Sequence, residues 1–354
     1  MNNIDRIRQA MPACECNAML ITNQVNRLFA TGFSSSAGAL LVTADKAWFF
    51  VDPRYVEAAE AAIKDASVVL VTKDETVTDC ISAVIKENGI TSIGFEDNSV
   101  TYASHHEMAD RFEATLIPAQ KLINDLREIK SRADIDKLIK AQRLSERVLE
   151  EIIPLISTNL TEKELAAEII YRSLKSGADE PSFNPIVVSG PNSSRPHGVP
   201  GREKIGKGFL TIDYGVKLDG WCSDTTRTFC IGKPDDEMVR IYDTVLEAQE
   251  AGIKAVYGGV KGVDVDTASR TVIENAGYGD YFGHGFGHSL GLEVHESLKA
   301  SQLSKDILPT GAVISAEPGI YLPGKYGVRI EDTLYITESG CENITKLSKK
   351  LTVL

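Results

Sequence analysis

The residues able to carry chemistry crowd into the C-terminal half of the chain. Of six histidines, His197, His284, His288 and His295 fall in Gly- and Pro-rich stretches, whereas His105 and His106 sit in a polar, helix-patterned segment that suits surface or capping roles. In Gly283-His-Gly-Phe-Gly-His288-Ser-Leu-Gly291 the interleaved glycines each weaken a helix by about 1 kcal/mol. The histidine pair is therefore expected on a loop or strand, where even spacing puts both rings on one face. A lone histidine is more often a satisfied core group than a ligand, but two this close, with His295 following shortly after, weaken that reading.

Carboxylates also stand where strands should be apolar. Asp213 interrupts Phe209-Leu-Thr-Ile-Asp213, Asp224 precedes Thr225-Thr-Arg-Thr-Phe, Glu317 ends Val313-Ile-Ser-Ala-Glu317, and Glu331 lies in Val328-Arg-Ile-Glu331-Asp-Thr-Leu. A buried carboxylate needs a partner. Strand ends reaching solvent account for one such residue and poorly for four. Four carboxylates and an imidazole make a mainly hard-oxygen ligand set whose negative charge matches two divalent cations. Such a set suits Mn²⁺ and, less selectively, Co²⁺ or Zn²⁺.

The elements that must position these groups follow from periodicity. Ala18 to Thr22, Ala39 to Val42, Ala47 to Val51, Val68 to Val71 and Ser92 to Phe95 read as strands, with helices over Tyr55 to Ile63 and Thr76 to Lys86. This is the pattern of a smaller α/β domain, assigned to residues 1–126. Near Leu126 the text changes to long amphipathic helices. Ser131-x-x-Asp134 and Thr161-x-x-Glu164 each have the form of an N-terminal cap. Strands are expected at Phe209 to Tyr214, Thr226 to Ile231, Val313 to Glu317 and Val328 to Ile336, with helices at Asp235 to Tyr257 and Asp266 to Ala276. Residues 127–354 thus form an α+β domain.

Composition bounds the function. Hydrophobic residues at 43% and charged residues at 25% exclude a disordered, collagen-like or coiled-coil chain. A formal charge of -12 argues against nucleic acid or an anionic membrane as the main partner. No apolar leader core or membrane-length apolar run is present, so the cytoplasm is the expected compartment. The six cysteines lack zinc-site or redox spacing and are read as reduced, mostly structural thiols. Without Gly-x-x-x-x-Gly-Lys-Ser/Thr, His-Glu-x-x-His or Gly-x-Ser-x-Gly, phosphate and serine-nucleophile chemistries are disfavoured.

Taken together, Asp213-Tyr-Gly, Ser223-Asp224-Thr-Thr-Arg-Thr, His284-Gly-Phe-Gly-His288-Ser-Leu-Gly, His295-Glu296, Glu317-Pro-Gly-Ile-Tyr321 and Val328-Arg-Ile-Glu331-Asp-Thr resemble the signature of the proline-directed metallopeptidases. These are the Xaa-Pro aminopeptidases and prolidases of the pita-bread fold. Thr31-Gly-Phe-Ser-Ser-Ser-Ala-Gly and Asp52-Pro-Arg-Tyr55 are similar to that family's creatinase-like N-terminal domain, so the resemblance spans nearly the whole chain. Leu298 and Ser348 stand where the family commonly has proline.

The resemblance implies that Asp213, Asp224, His288, Glu317 and Glu331 bind two metal ions. Asp224 and Glu331 would serve both ions, Asp213 would complete one, and His288 with Glu317 the other. It implies substrate-contacting roles for His197, His284 and His295, with Glu317 passing the proton. Arg329, two residues before Glu331, would orient a ligand carboxylate, and Tyr321 would follow on the turn at Pro318-Gly319. The expected substrates are proline-containing peptides and the expected assembly a homodimer. The reading favours an Xaa-Pro aminopeptidase attacking with a metal-bridging hydroxide, the alternative being a strict Xaa-Pro dipeptidase. A non-catalytic pita-bread binding protein, which would be expected to lose ligands, is the distant alternative.

Overall fold

Short apolar strands, the central ones buried on both faces, organise the first part of the chain. The computed structural model describes residues 1–354, which divide into two units, Met1–Arg127 and Glu128–Leu354. In the first unit, β1 (Ala18–Ile21), β2 (Ala39–Thr43), β3 (Ala47–Val51), β4 (Ser67–Leu70), β5 (Ser92–Phe95) and β6 (Thr115–Pro118) form one mixed sheet in the order β4-β3-β2-β1-β5-β6. Alternate residues feed two cores. Met19, Ile21, Leu40 and Phe49 pack on one side, and Ala18, Leu20, Leu41 and Phe50 on the other. A sheet covered on both faces reads as continuous apolar runs, which is why β1 to β5 were legible, whereas the edge strand β6, with exposed ends, was not expected. The helix Tyr102–Arg111 carries His105 and His106.

The second unit opens with two capped helices, Arg132–Ile152 and Glu162–Lys175. Ser131 and Asp134 exchange side-chain and backbone hydrogen bonds, as do Thr161 and Glu164, satisfying donors that a helix start leaves open. Both helices pack through Leu144, Leu149, Leu165 and Ile169 onto Leu210, Ile212 and Phe229. Those last residues belong to a three-stranded antiparallel sheet of Ile186–Ser189, Gly208–Tyr214 and Thr225–Ile231. Along Gly208–Tyr214, Leu210, Ile212 and Tyr214 face these helices, so Thr211 and Asp213 face the other way.

The helices Asp236–Ala255 and Gly262–Asn275 cover the other strands, with Ile241, Val245 and Ile273 packed against Ile320, Val328 and Ile330. Val313–Ala316 pairs with Asp332–Ile336, and Gly319–Leu322 with Tyr326–Arg329. The single strand expected over Val328 to Ile336 is therefore two strands in two sheets. The chain changes sheet at Ile330-Glu331, where the Glu331 N–H leaves its own ladders and donates to the Thr226 carbonyl at 3.1 Å. Likewise Glu317, expected as the last residue of a strand, lies one residue beyond the strand Val313–Ala316, its N–H bound to the Phe286 carbonyl at 2.8 Å. The last helix begins at Gly262 rather than Asp266, a start that has no side-chain cap to announce it.

The glycines of the histidine segment have a steric reason. A Cβ on Gly287 would lie 2.0 Å from the Ser315 carbonyl oxygen, so only glycine lets these backbones meet. Inside the helix Asp236–Ala255, a Cβ on Gly252 would stand 2.2 Å from the buried Phe286 ring. Gly252→Ala should therefore destabilise the protein by about 1–3 kcal/mol despite alanine's better helix propensity, because overpacking a closed core dominates. A denaturant midpoint equal to or above that of the parent chain would contradict this account.

Candidate active site

Asp213 and Thr226 are paired across adjacent strands, which brings the end of Gly208–Tyr214 against the start of Thr225–Ile231. Asp224 immediately precedes that second strand, and Glu331 arrives at the sheet change. His288 ends the two-residue strand Gly287–His288. Glu317 follows Val313–Ala316. Five sequence segments, none adjacent in the chain, thus converge. Ligand atoms of Asp224, His288 and Glu331 lie within 4.8 Å of one another, and His288 Nε2 is 3.1 Å from Glu317 Oε1.

The carboxylates are desolvated and crowded. Asp213, Asp224 and Glu331 expose only 8%, 4% and 1% of their surface. Burial, then the neighbouring charges of Glu331, Asp213 and Glu317, pushes the Asp224 carboxyl well above its usual range. Glu331 is raised in the same way by burial and by Glu317 and Asp213. Glu317 behaves oppositely: burial alone would raise it, but the hydrogen bond and charge of His288 outweigh that and hold it at about 2. His288 is correspondingly raised; burial opposes its charge, and Glu317 more than compensates.

Asp213 and Glu331 each keep one oxygen held and present another. Arg329 Nη2 donates to Asp213 Oδ2 at 2.5 Å, while Asp213 Oδ1 is buried without a partner. Thr226 Oγ1 donates to Glu331 Oε2 at 2.8 Å, and Glu331 Oε1 is likewise unpartnered. Ser315 Oγ donates to Glu317 Oε1 at 3.1 Å and accepts from the His288 N–H at the same distance. Buried polar atoms are almost always satisfied. Two orphaned carboxylate oxygens in one acid-rich cluster fit cations, and the oxygen-dominated donor set with one imidazole fits hard or borderline divalent metals.

Around this cluster, Arg329 also donates from Nη1 to the Tyr321 hydroxyl at 2.7 Å and to the Pro196 carbonyl at 3.2 Å. Tyr321 lies within the strand Gly319–Leu322 rather than on the expected turn. The Gly285 carbonyl can only accept, so His284 Nδ1 carries the ring proton and donates to it at 2.9 Å. In the neutral ring Nε2 then accepts from the Tyr321 hydroxyl, 2.9 Å away, whose oxygen accepts from Arg329. Burial lowers the His284 pKa and favours this neutral ring. His284 and His288 do not share a strand face. Only His288 is in a strand, and its ring packs against that of His295 at a tilt of 58°, centroids 4.2 Å apart. His295 and His197 are exposed at the site, and His197 bears electrostatically on both His284 and His295. His105 and His106 belong to the other unit.

Sequence reasoning did not single out Thr226 or Ser315. A signal existed for each, since Thr226 sits in the Thr-rich run after Asp224 and Ser315 two residues before Glu317, the spacing that shares a strand face. All six cysteines are free thiols. No helix is long and apolar enough to cross a membrane.

Comparison with known proteins agrees with this geometry. Residues 3–129 match the Creatinase/Prolidase N-terminal domain and residues 136–338 match Metallopeptidase family M24. A solved structure described as an Xaa-Pro dipeptidase from Bacillus anthracis superposes with a TM-score of 0.96 at 37% identity, covering 99% of each chain. The X-Pro aminopeptidase from Thermotoga maritima gives 0.92 at 32% identity, over 98% of this chain and 100% of that one. An Xaa-Pro dipeptidase of Pyrococcus horikoshii is 35% identical over 98% of each chain. The two-unit architecture, the convergent acids and these matches together make this chain a member of metallopeptidase family M24, a hydrolase with a creatinase-type N-terminal domain and a pita-bread catalytic domain.

Proposed function

We propose that the chain is an Xaa-Pro dipeptidase, a prolidase, that works with two divalent metal ions, Mn²⁺ suiting the donor set best. The pair of orphaned buried oxygens on Asp213 and Glu331 carries the metal reading. Sequence reasoning leaned to the aminopeptidase. The dipeptidase is supported by the names of two relatives, the Bacillus anthracis and Pyrococcus horikoshii proteins, the first of which is more similar to this chain than the named aminopeptidase in both identity and superposition. A homodimer in the cytoplasm is part of the same proposal and rests on the family resemblance.

In this reading Asp213, Asp224, His288, Glu317 and Glu331 would hold the ions, and divalent metal bound there would supply Lewis-acid activation of the carbonyl before proline and of a water, whose pKa it would lower toward about 7. The chain's own groups do the rest. Arg329 and Thr226 lock one oxygen each of Asp213 and Glu331, which aims the other. The bond before proline has no N–H and leaves as an amine only when its nitrogen is protonated. Glu317 is ionised and placed to accept a proton from the attacking water and return it to that nitrogen. Both nitrogens of His284 are engaged by Gly285 and Tyr321, so it serves as a support. His295, whose pKa is lowered by partial desolvation and by the nearby His288, and His197 are the exposed histidines left to donate to the developing oxyanion, at about 3 kcal/mol per contact.

Three outcomes are expected. With Mn²⁺ supplied, an Xaa-Pro dipeptide should be cleaved and an Xaa-Pro-Xaa tripeptide spared; efficient release of the first residue from the tripeptide would return the chain to the aminopeptidase class. Asp224→Ala should abolish both metal loading, read by elemental analysis, and turnover; full metal content with retained turnover would sink the assignment. The third concerns pH. Asp224 and Glu331 have folded pKa values above their unfolded 3.8 and 4.5, so the folded state keeps protons that the unfolded chain releases. His288 adds stability below 6.5 that is lost as pH rises through its raised folded value. Glu317 acts in reverse, its contribution being lost only as pH falls from 4.5 toward about 2. In chelator, therefore, urea midpoints should fall from about pH 5 to about pH 8, and saturating divalent metal should flatten that decline. A chelated protein that gains stability over this range would contradict the charge arrangement.

A further inference from the structure

The segment Phe282–Phe286, which carries His284, is gripped by a buried ion pair on the helix Gly262–Asn275. Arg270 Nε and Nη2 donate to Asp266 Oδ2 and Oδ1 at 2.8 and 3.1 Å, one helical turn apart, and the two side chains are 7% and 0% exposed. The remaining contacts of the pair go to a single stretch of backbone. Arg270 Nη1 donates to the Phe282 carbonyl at 2.7 Å and Nη2 to the His284 carbonyl at 2.6 Å. Asp266 Oδ1 accepts from the Phe286 N–H at 2.9 Å. The guanidinium carbon lies 4.0 Å from the centroid of the Phe282 ring, whose edge meets the His284 ring at 5.1 Å. Residues 282, 284 and 286 are thus all held by one pair of side chains.

Stability is a weak explanation for this arrangement. Replacing a buried ion pair by apolar groups of similar volume is often neutral or stabilising, because both charges lose water. The geometry offers a more specific role. Fixing the backbone on both sides of His284 also places the Gly285 carbonyl, which takes the Nδ1 proton and leaves Nε2 to accept from Tyr321. A ring free to turn or slide would lose that preference and with it the Tyr321 and Arg329 connection to Asp213.

We propose that Asp266 and Arg270 are positioning residues for His284: the pair sets the backbone around the ring, and thereby its Nδ1–H tautomer, and acts on turnover through His284 and Tyr321. The effect on turnover rests on the peptidase reading above; the tautomer does not. Arg270→Lys is the direct test, because it keeps the charge beside Asp266 while a single ammonium lacks the rigid fork that serves Asp266 and both carbonyls. The full chain, loaded with diamagnetic Zn²⁺ and labelled with ¹⁵N-histidine, is examined by NMR, with the His284 signals assigned by their loss in His284→Ala. The parent chain should give the Nδ1–H pattern and Arg270→Lys a mixture with Nε2–H. With Mn²⁺, kcat should fall by about 10- to 100-fold with a smaller change in KM, as a displacement of about 1 Å can produce. Combining Arg270→Lys with His284→Ala should cost no more than His284→Ala alone. An unchanged His284 spectrum in Arg270→Lys, or kcat losses that simply multiply, overturns the proposal. Should Arg270→Lys fail to fold, Asp266→Asn, which retains the guanidinium, is read by the same spectrum, and a parent-like His284 pattern there also overturns it. A parent chain that cleaves no Xaa-Pro peptide defeats the functional reading, while the spectra still decide the positioning role.

Discussion

Crowding of buried negative charge is the constraint on which the catalytic unit depends. Asp213, Asp224, Glu317 and Glu331 share one pocket, and the facing cationic groups are Arg329 and, when protonated, His288. Desolvation penalises every ionised member of such a group, and mutual repulsion adds to it. The arrangement becomes favourable when compensating cations are supplied. Burial and repulsion raise the pKa values of Asp213, Asp224 and Glu331, that of Asp213 despite its bond to Arg329, whereas pairing with His288 lowers that of Glu317.

Holding such a site open against its own repulsion calls for scaffolding that is rigid and already satisfied. Thr226 bonds both Glu331 and Arg329, so neighbouring groups from different strands share one hydroxyl. Beneath them, Arg227 donates to the carbonyls of Glu331 and Leu347 and to Asp332, stitching the sheet change to the C-terminal segment. Buried polar networks of this kind rigidify when every member is paired. Unpaired oxygens are left within the cluster itself, on Asp213 and Glu331. Two unpartnered carboxylate oxygens among mutually repelling acids are what a cation would satisfy.

Much of the fold was legible because it rests on local rules. The strands of the first sheet, the capping boxes at Ser131 and Thr161 and the long amphipathic helices follow from side-chain periodicity and from donors that a helix start must satisfy. The break between Arg329 and Asp332 was not legible, since Val328 to Ile336 alternates like one strand. What divides it is the Glu331 N–H turning to Thr226, 105 residues earlier in the chain. Tyr321 moved from a turn into a strand for a similar reason, its segment pairing with Tyr326–Arg329 beyond a short reversal.

For the site, residue types in order were enough to name the acids and histidines, because carboxylates placed in strands demand compensation whatever the fold. Their donor chemistry, a property of the side chains, also points to divalent cations. Tertiary structure decided which oxygen of each acid is held, which histidines remain free and which tautomer His284 adopts. Those are matters of direction and distance between groups far apart in sequence. A hydrogen bond between residues a hundred positions apart leaves no periodic trace in the text, and the Arg270 grip on the His284 segment becomes visible only when the helix and the loop are placed together.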